Sequence, residues 1–382
     1  MTRREFIQKC ASLSLGISLP SLMSSAKADG SFNGKVLIIG AGAAGLFAGY
    51  ELARQGIDFE IIEATSVYGG RVKQLNGFAD FPVSLGAEWI HSDEPLKFLN
   101  ELVDDPKNPV NVDVIPFDPR NTAEWDGTEL ISLPFSDDEA LEYKFKRTSW
   151  HGFLTRYIAP HIQDKIIYNS PVSSIDYSGE RVYVVTPDKT FEGDRVLVTV
   201  SMGVLKANLI EFEPALPQKK INAIANYKFM PGLKAFIKFS QRFYHDAVYY
   251  DTEDTDEKLF FDIAFRKDSQ DHVYSFFFVG ENAGEYTDLP DNNAIFEKVM
   301  AQLDLIYEGK ASQYYEKHYV QNWSKAPYTL GAYTDDDSSQ RRKAVFEPLD
   351  NKVFFAGEAL SSDSTVDGAA MSALSALEKL LV

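Results

Sequence analysis

The chain has 382 residues, of which 45% are apolar and 25% charged, an ordinary globular composition that excludes a mostly disordered chain. Its 38 Lys and Arg against 56 Asp and Glu leave a net charge of −18, which argues against a nucleic-acid partner, because phosphate binding needs clustered cationic surface. The one cysteine, Cys10, builds no disulfide framework, Cys-based zinc site or iron–sulfur cluster, and the six histidines show no H-E-x-x-H arrangement, so no metal is expected.

The chain opens Met1-Thr2-Arg3-Arg4-Glu5-Phe6-Ile7. A twin arginine before Phe and Ile predicts a Tat-type export signal over residues 1–28. The apolar stretch from Cys10 to Met23 is broken by Ser, Gly and Pro, and is shorter than the roughly 20 residues of a spanning helix. No stable membrane anchor is therefore expected. Ala26-Lys27-Ala28 reads as an A-x-A cleavage site. The expectation is a bacterial protein exported to the periplasm or beyond the cell. Cleavage would also remove the only cysteine, which suits an oxidising compartment.

Lys35 to Ile39 is a short apolar, β-branched run, the pattern of a buried parallel strand. It runs into Gly40-Ala41-Gly42-Ala43-Ala44-Gly45. Leu46, Tyr50 and Ala53 then recur at helical spacing up to Gln55, and Gly56 breaks the helix. Asp58 to Ile62 form a second strand closed by Glu63. This is G-x-G-x-x-G with a strand before it, a helix after it and an acid beyond it. Gly40 permits the tight turn, Gly42 lets backbone approach a pyrophosphate, and Gly45 lets helix and strand pack closely. Ala43 and Ala44 stand in the cofactor-binding loop ahead of the helix whose N-terminus faces the phosphates. Glu63 is suited to the adenosine ribose hydroxyls and repels a 2′-phosphate, which disfavours NADP.

Farther along, residues 101–147 are rich in Asp, Asn, Pro and Lys with weak periodicity, and predict loops and a short helix over a site entrance. Residues 227–280 alternate apolar and polar over several stretches, such as Val273 to Val279, and read as antiparallel strands. Within them Lys234 alternates with Phe236 and Lys238. Asp251 to Glu257 is an acid-rich turn, read as a solvated loop. Residues 293–306 predict an amphipathic helix.

Further motifs extend from the glycine loop to the C-terminus. Gly69-Gly70-Arg71 follows Glu63-Ala64, and then come Leu85-Gly86-Ala87-Glu88-Trp89-Ile90-His91 and Val196 to Lys206. Trp323, Pro327, Gly331 and Tyr333 form a spaced set, followed by Phe355-Ala356-Gly357-Glu358 and Thr365-Val366-Asp367-Gly368-Ala369. In this order they resemble the flavin-dependent amine oxidase family, monoamine and polyamine oxidases included. The resemblance implies an α/β fold: a discontinuous Rossmann-like FAD-binding domain over 34–92, 165–212 and 320–382. An α+β substrate domain with a mixed or antiparallel sheet would take 93–164 and 213–319.

It also implies roles. Arg71, with Gly70 before it, is expected near the FAD phosphates and flavin. Glu88 and Trp89 are expected to line the flavin largely through backbone. Val172 would lie on the strand facing adenine, and Trp323 would pack on the cofactor side. Gly357 and Glu358 would contact the ribitol or pyrophosphate. Thr365 and Val366 would start the last helix, facing the flavin pyrimidine. Lys234 is expected to reach flavin N5 through a water, His91 to line a substrate tunnel and Tyr333 to form an aromatic wall. Asp367, Ala373 and Ser201 depart from the family's usual histidine, glycine and proline. With no cysteine left after cleavage, FAD should be non-covalent. The implied activity is oxidation of a small amine, with molecular oxygen as acceptor. A non-amine oxidase or desaturase and a silent FAD-binding module are the alternatives. The amine and the oligomeric state stay open.

Overall fold

Five short apolar strands form an all-parallel sheet in the computed structural model, in the order Ile166–Ile167, Asp58–Ile62, Lys35–Ile39, Arg195–Val198 and Val353–Phe355. The structure describes residues 32–134, 142–252, 256–336, 338–361 and 364–382. The expected signal over 1–28 and its cleavage site lie outside them.

Contacts divide the chain into two units. The first takes 32–72, 153–229 and 326–382; the second takes 73–152 and 230–325. The sequence-based bounds follow motif positions, so 73–92, expected with the FAD domain, belong by contacts to the second unit.

In the first unit, Lys35–Ile39 is central and four of its five residues are buried, as a strand covered on both faces requires. Both predicted strands and the glycine turn between them are present as expected. The helix starts earlier than its apolar period shows, at Ala43, with Gly42 as its N-cap. It packs on the last helix, Val366–Leu380, whose inner face is largely Ala and Gly. A mixed four-stranded sheet runs Thr190–Gly193, Val182–Val185, Ser174–Asp176 and Glu211–Glu213. Val172 lies in the extended stretch before Ser174–Asp176 rather than on that strand, and packs half-buried against the core.

Besides packing Ala344 and Val345 into the core, the helix Ser339–Phe346 is tied to this unit at its C-terminal end by a buried lysine. Lys220 is buried, and its ammonium donates to the carbonyls of Ala344, Val345 and Glu347 at 3.0, 2.6 and 2.7 Å. These are helix-end carbonyls with no intrahelical donor of their own.

The second unit is built on a seven-stranded sheet in the order Tyr315–Asn322, Gly232–Phe239, His272–Gly280, Asp256–Asp262, Ala247–Tyr250, Thr122–Trp125 and Leu130–Ser132. All its pairs are antiparallel except Ala247–Tyr250 with Thr122–Trp125. The helix Asn292–Ile306 appears where the periodicity places it. Residues 101–147 correct the expectation of loops. After Pro95–Val103 come four short strands: Val114–Phe117, Thr122–Trp125, Leu130–Ser132 and Glu142–Phe145. They are short, three or four residues of weak apolar alternation each, and Thr122–Trp125 pairs both with nearby Leu130–Ser132 and with remote Ala247–Tyr250. The acid-rich turn is also only partly solvated. Asp256 opens a strand, is buried, and accepts from the backbone and side chain of Asn282.

Replacing Lys220 by Met should lower unfolding stability by about 2 kcal/mol, the scale of charge-assisted hydrogen bonds lost from a buried site. Denaturant unfolding of the two proteins measures it. A midpoint equal to that of the parent would show that these three contacts carry no net stability.

Candidate active site

The glycine loop sits at the C-terminal end of Lys35–Ile39, where ligands of parallel sheets bind. A Cβ at Gly45 would collide with the carbonyl oxygen of Gly40, so the helix crosses the strand end only with glycine there. A Cβ at Gly42 would meet open space. The first glycine pair thus closes the turn, and Gly42 keeps the outer side bare for a ligand. Glu63 is buried and clamps the loop: one carboxylate oxygen accepts from Ala41 N at 2.8 Å, the other from Thr65 N and Oγ1 at 2.9 and 2.7 Å. The oxygen on Ala41 keeps acceptor capacity for a ribose hydroxyl. Ala64 follows at the strand end, half-buried.

Gly70 holds a positive φ of 58° beside the Gly42 Cα, and aims Arg71 back into the same unit. The Arg71 guanidinium donates to Glu358 Oε1 at 2.7 Å and to the Ala332 carbonyl at 2.7 Å. Expected to meet the cofactor separately, Arg71 and Glu358 are here paired with each other. Glu358 Oε2 is buried with no hydrogen-bond partner among the described residues. A small cavity lies against it, lined by Arg71, Thr199, Ser201, Gly357 and Glu358 among others. Tyr333 is half-buried, next in the chain to the carbonyl that Arg71 holds. Thr365 caps the last helix by accepting from Gly368 N at 3.0 Å, and Val366 is its first residue. Ser201, where the family has proline, caps Met202–Lys206 and donates to Thr329 O at 2.6 Å. A bare glycine loop, a strand-end carboxylate, a fixed guanidinium and an orphaned buried carboxylate oxygen fit a dinucleotide with phosphate and hydroxyl groups.

The second unit gathers the other predicted residues. Lys234 is buried in Gly232–Phe239. Its ammonium donates to the Gly86 carbonyl at 2.9 Å and to Glu88 Oε2 at 3.1 Å. The Glu88 side chain is thus engaged within the unit, a contact the expectation of a backbone role did not include. Burial alone would push its carboxyl up. The Lys234, Lys144 and Lys267 ammonium groups, with the hydrogen bond from Lys234, outweigh that and hold it below the usual range. Trp89 packs against Phe117 and Phe261 at 4.9 and 5.5 Å, and its carbonyl accepts from Trp150 Nε1 at 2.7 Å. That carbonyl is thus already engaged within the unit. Trp323 is buried with its indole N–H donating to Leu85 O at 3.1 Å, so its part in any site is packing. His91 Nδ1 lies 3.1 Å from Glu142 Oε2.

Sequence reading missed Glu142, Lys144 and Lys267. Lys144 is 1% exposed and stands directly opposite Trp89 across a strand pair. Burial pushes its amine down to about 8, with Glu88 opposing. Its surroundings, Asp-, Asn-, Pro- and Lys-rich with weak periodicity, read as loops and a short helix over an entrance and gave no signal of burial. Among the described residues no His, Cys, Asp and Glu group could hold a metal. No described helix is long and apolar enough to cross a membrane.

Residues 151–381 match the description "Flavin containing amine oxidoreductase", and residues 38–104 match an NAD(P)-binding Rossmann-like domain. The chain belongs to the flavin-containing amine oxidoreductase family. Among curated relatives of this family, lysine-specific histone demethylase 2 of Homo sapiens is 26% identical over 91% of this chain and 53% of its own length. Polyamine oxidase 3 of Oryza sativa subsp. japonica is 30% identical over 67% of this chain and 54% of its own. The chain spans about half the length of such relatives, or less. Cyclohexylamine oxidase from Brevibacterium oxydans IH-35A shares the fold at a TM-score of 0.74, with 15% identity over 92% of this chain and 99% of that one. Putrescine oxidase bound to putrescine shares it at 0.72, with 14% identity over 91% and 99%.

Two substitutions separate the glycine roles. Gly42→Ala should fold with near-parental stability but lose about tenfold or more in FAD affinity, because the methyl occupies the ligand's side of the loop. Gly45→Ala should fail to fold or melt far lower. FAD titration and thermal melting read both; normal FAD uptake by Gly42→Ala would show that nothing approaches the loop there.

Proposed function

We propose that this chain is an exported FAD-dependent amine oxidase that acts on a small amine, with polyamines as the favoured class. The observation that carries the reading is Lys234: a lysine buried at the position the resemblance assigns, engaged by a carbonyl and a carboxylate, in a family member whose other unit carries the dinucleotide loop. The polyamine preference draws on the names of relatives, polyamine and putrescine oxidases, and on a net charge of −18 that favours cationic substrates. Export rests on the twin-arginine signal. Non-covalent FAD rests on Cys10, within that signal, being the only cysteine.

Bound by these residues, FAD would supply a two-electron acceptor for hydride from the carbon beside the amine nitrogen, with water hydrolysing the imine and oxygen as final acceptor giving hydrogen peroxide. The chain's residues do the rest. Glu63 and the glycine loop hold the adenosine and pyrophosphate end. Arg71, fixed by Glu358, supplies a cation that needs no reorganisation to meet negative charge. The helix capped by Thr365 adds N-terminal amides. Lys234 keeps one ammonium N–H beyond the two it spends on Gly86 and Glu88, and that donor serves a water or the oxygen chemistry. His91, oriented by Glu142, is placed to bind an amine or pass a proton. Tyr333 offers a ring face to a cation.

The test is an anaerobic spectrum of the signal-free protein with FAD, before and after pooled polyamines, monoamines or amino acids. Bleaching of the flavin band by polyamines is expected. A yellow protein that no pool bleaches would overturn amine oxidation, and a colourless one would overturn the cofactor. Lys234→Met should stay yellow while flavin reoxidation or imine release slows by about tenfold or more in stopped flow. Parental rates would remove Lys234 from the chemistry.

A further inference from the structure

Three lysines face one buried carboxylate in the second unit. Glu88 precedes the strand Trp89–Ile90. Lys144 comes from Glu142–Phe145, Lys234 from Gly232–Phe239, and Lys267 from the turn after Asp256–Asp262. All three ammonium groups act on the Glu88 carboxylate. Among the described residues only Lys234 pairs with it, at 3.1 Å.

The other charged groups nearby are already engaged. Asp262 also faces Lys144, but it accepts from Arg242 Nε at 3.2 Å and from Ala264 N at 2.9 Å. Asp246, behind it, is an ion-pair partner of Arg242 and accepts from Arg120 N and Asn121 N at 3.0 Å. Glu142, in the same strand as Lys144, faces His91. Lys144 itself reaches the Ile263 carbonyl at 3.5 Å and lies over the rings of Phe117 and Trp89 at 4.7 and 5.8 Å. Among the described residues no carboxylate stands within ion-pair distance of it. Phe261 links the two lysines: Trp89 packs on it at 5.5 Å, and the Lys234 ammonium lies 5.6 Å from its centre.

We propose that Glu88 is a positioning residue that fixes the Lys234 ammonium, and that Lys144 is the group through which pH alters the charge around that pair. The proposal rests on reading Lys234 as the lysine of the flavin chemistry. Glu88 and the Gly86 carbonyl take two of three ammonium donors, which sets the direction of the third. Without the Glu88 charge, a buried ammonium is left uncompensated. Lys144 has weak hydrogen bonding and full burial, and burial pushes its amine down to about 8. Protonated, it draws on the same carboxylate as Lys234. Neutral, it leaves the Glu88 field to Lys234 and Lys267. The switch therefore works across the range around pH 8.

The test uses the full chain with FAD bound and lysine labelled with 13C at Cε. One resonance, assigned by its loss in Lys144→Met, should titrate near pH 8. In Glu88→Gln its midpoint should fall, because the anion that supports the ammonium is gone. In Lys234→Met it should rise, because a competing cation is gone; this variant keeps the test decisive if Glu88→Gln does not fold. A midpoint unmoved in the folded variants overturns the coupling.

A second readout needs no amine. Flavin is photoreduced, and its reoxidation by oxygen is followed against pH. The parental rate should show an inflection near pH 8 that Lys144→Met abolishes. Glu88→Gln should slow reoxidation by about tenfold or more with FAD content unchanged, and Glu88→Asp should recover part of it. An inflection that persists in Lys144→Met, or a parental rate in Glu88→Gln, overturns the proposal. If both readouts behave as expected while no amine bleaches the flavin, the substrate reading fails and the positioning role stands.

Discussion

A helix can start at the end of Lys35–Ile39 only because no side chain stands between Gly40 and Gly45. That contact has no slack, since the carbonyl of Gly40 fills the space a Cβ would need. Once the helix is seated, its first amides point past the strand end, and the strand-end carboxylate of Glu63 can reach Ala41 N. Gly69 joins the same turn through a hydrogen bond from its N–H to the Ala41 carbonyl, which brings Arg71 to Glu358. The anion-binding character of this unit therefore follows from one steric constraint, propagated through backbone hydrogen bonds.

Charge is handled by the same logic in both units. Burying an ion is costly unless a partner is fixed in place. Arg71 is held by Glu358 and a carbonyl; Lys234 is held by Glu88 and a carbonyl. In each pair one group keeps unused capacity: the second oxygen of Glu358, and the third N–H of Lys234. Such capacity in a dry place is what a ligand can use, because water does not compete for it. The pairs differ in purpose. The Arg71 pair is one cation on one anion, whereas three ammonium groups act on Glu88.

What the sequence made legible follows from the range of the interactions. The glycine turn, both flanking strands, the strand of Lys234 and the helix Asn292–Ile306 are specified by residues close in the chain. Their periodicity and breakers are local, and they appear where predicted. Residues 101–147 fail that condition. Thr122–Trp125 pairs with nearby Leu130–Ser132 on one side, but it joins the large sheet through Ala247–Tyr250, a partner more than a hundred residues away. Site residues divide the same way. Arg71, Glu88 and Glu358 stand out by motif, yet that Arg71 grips Glu358 and Glu88 grips Lys234 are facts of tertiary structure. Ser201 shows the converse. It departs from the family's proline, and the structure shows its hydroxyl capping a helix and holding Thr329 instead.

Three buried lysines mark the limit of residue type as a guide to role. Lys220 meets three backbone carbonyls, which saturate its donors and make it a tie for a helix end. Lys234 meets one carbonyl and one carboxylate, which hold the ammonium and leave one donor over. Lys144 meets one distant carbonyl and two ring faces, the fewest hydrogen-bond acceptors of the three. Nothing in the three side chains differs; the number and charge of their acceptors does. A lysine's function here is set by how many of its three donors the fold leaves unspent and by whether the acceptor is charged. That count separates Lys220, whose donors are all spent on backbone, from Lys234, which keeps one donor beside a fixed carboxylate, and from Lys144, which is buried with little hydrogen bonding.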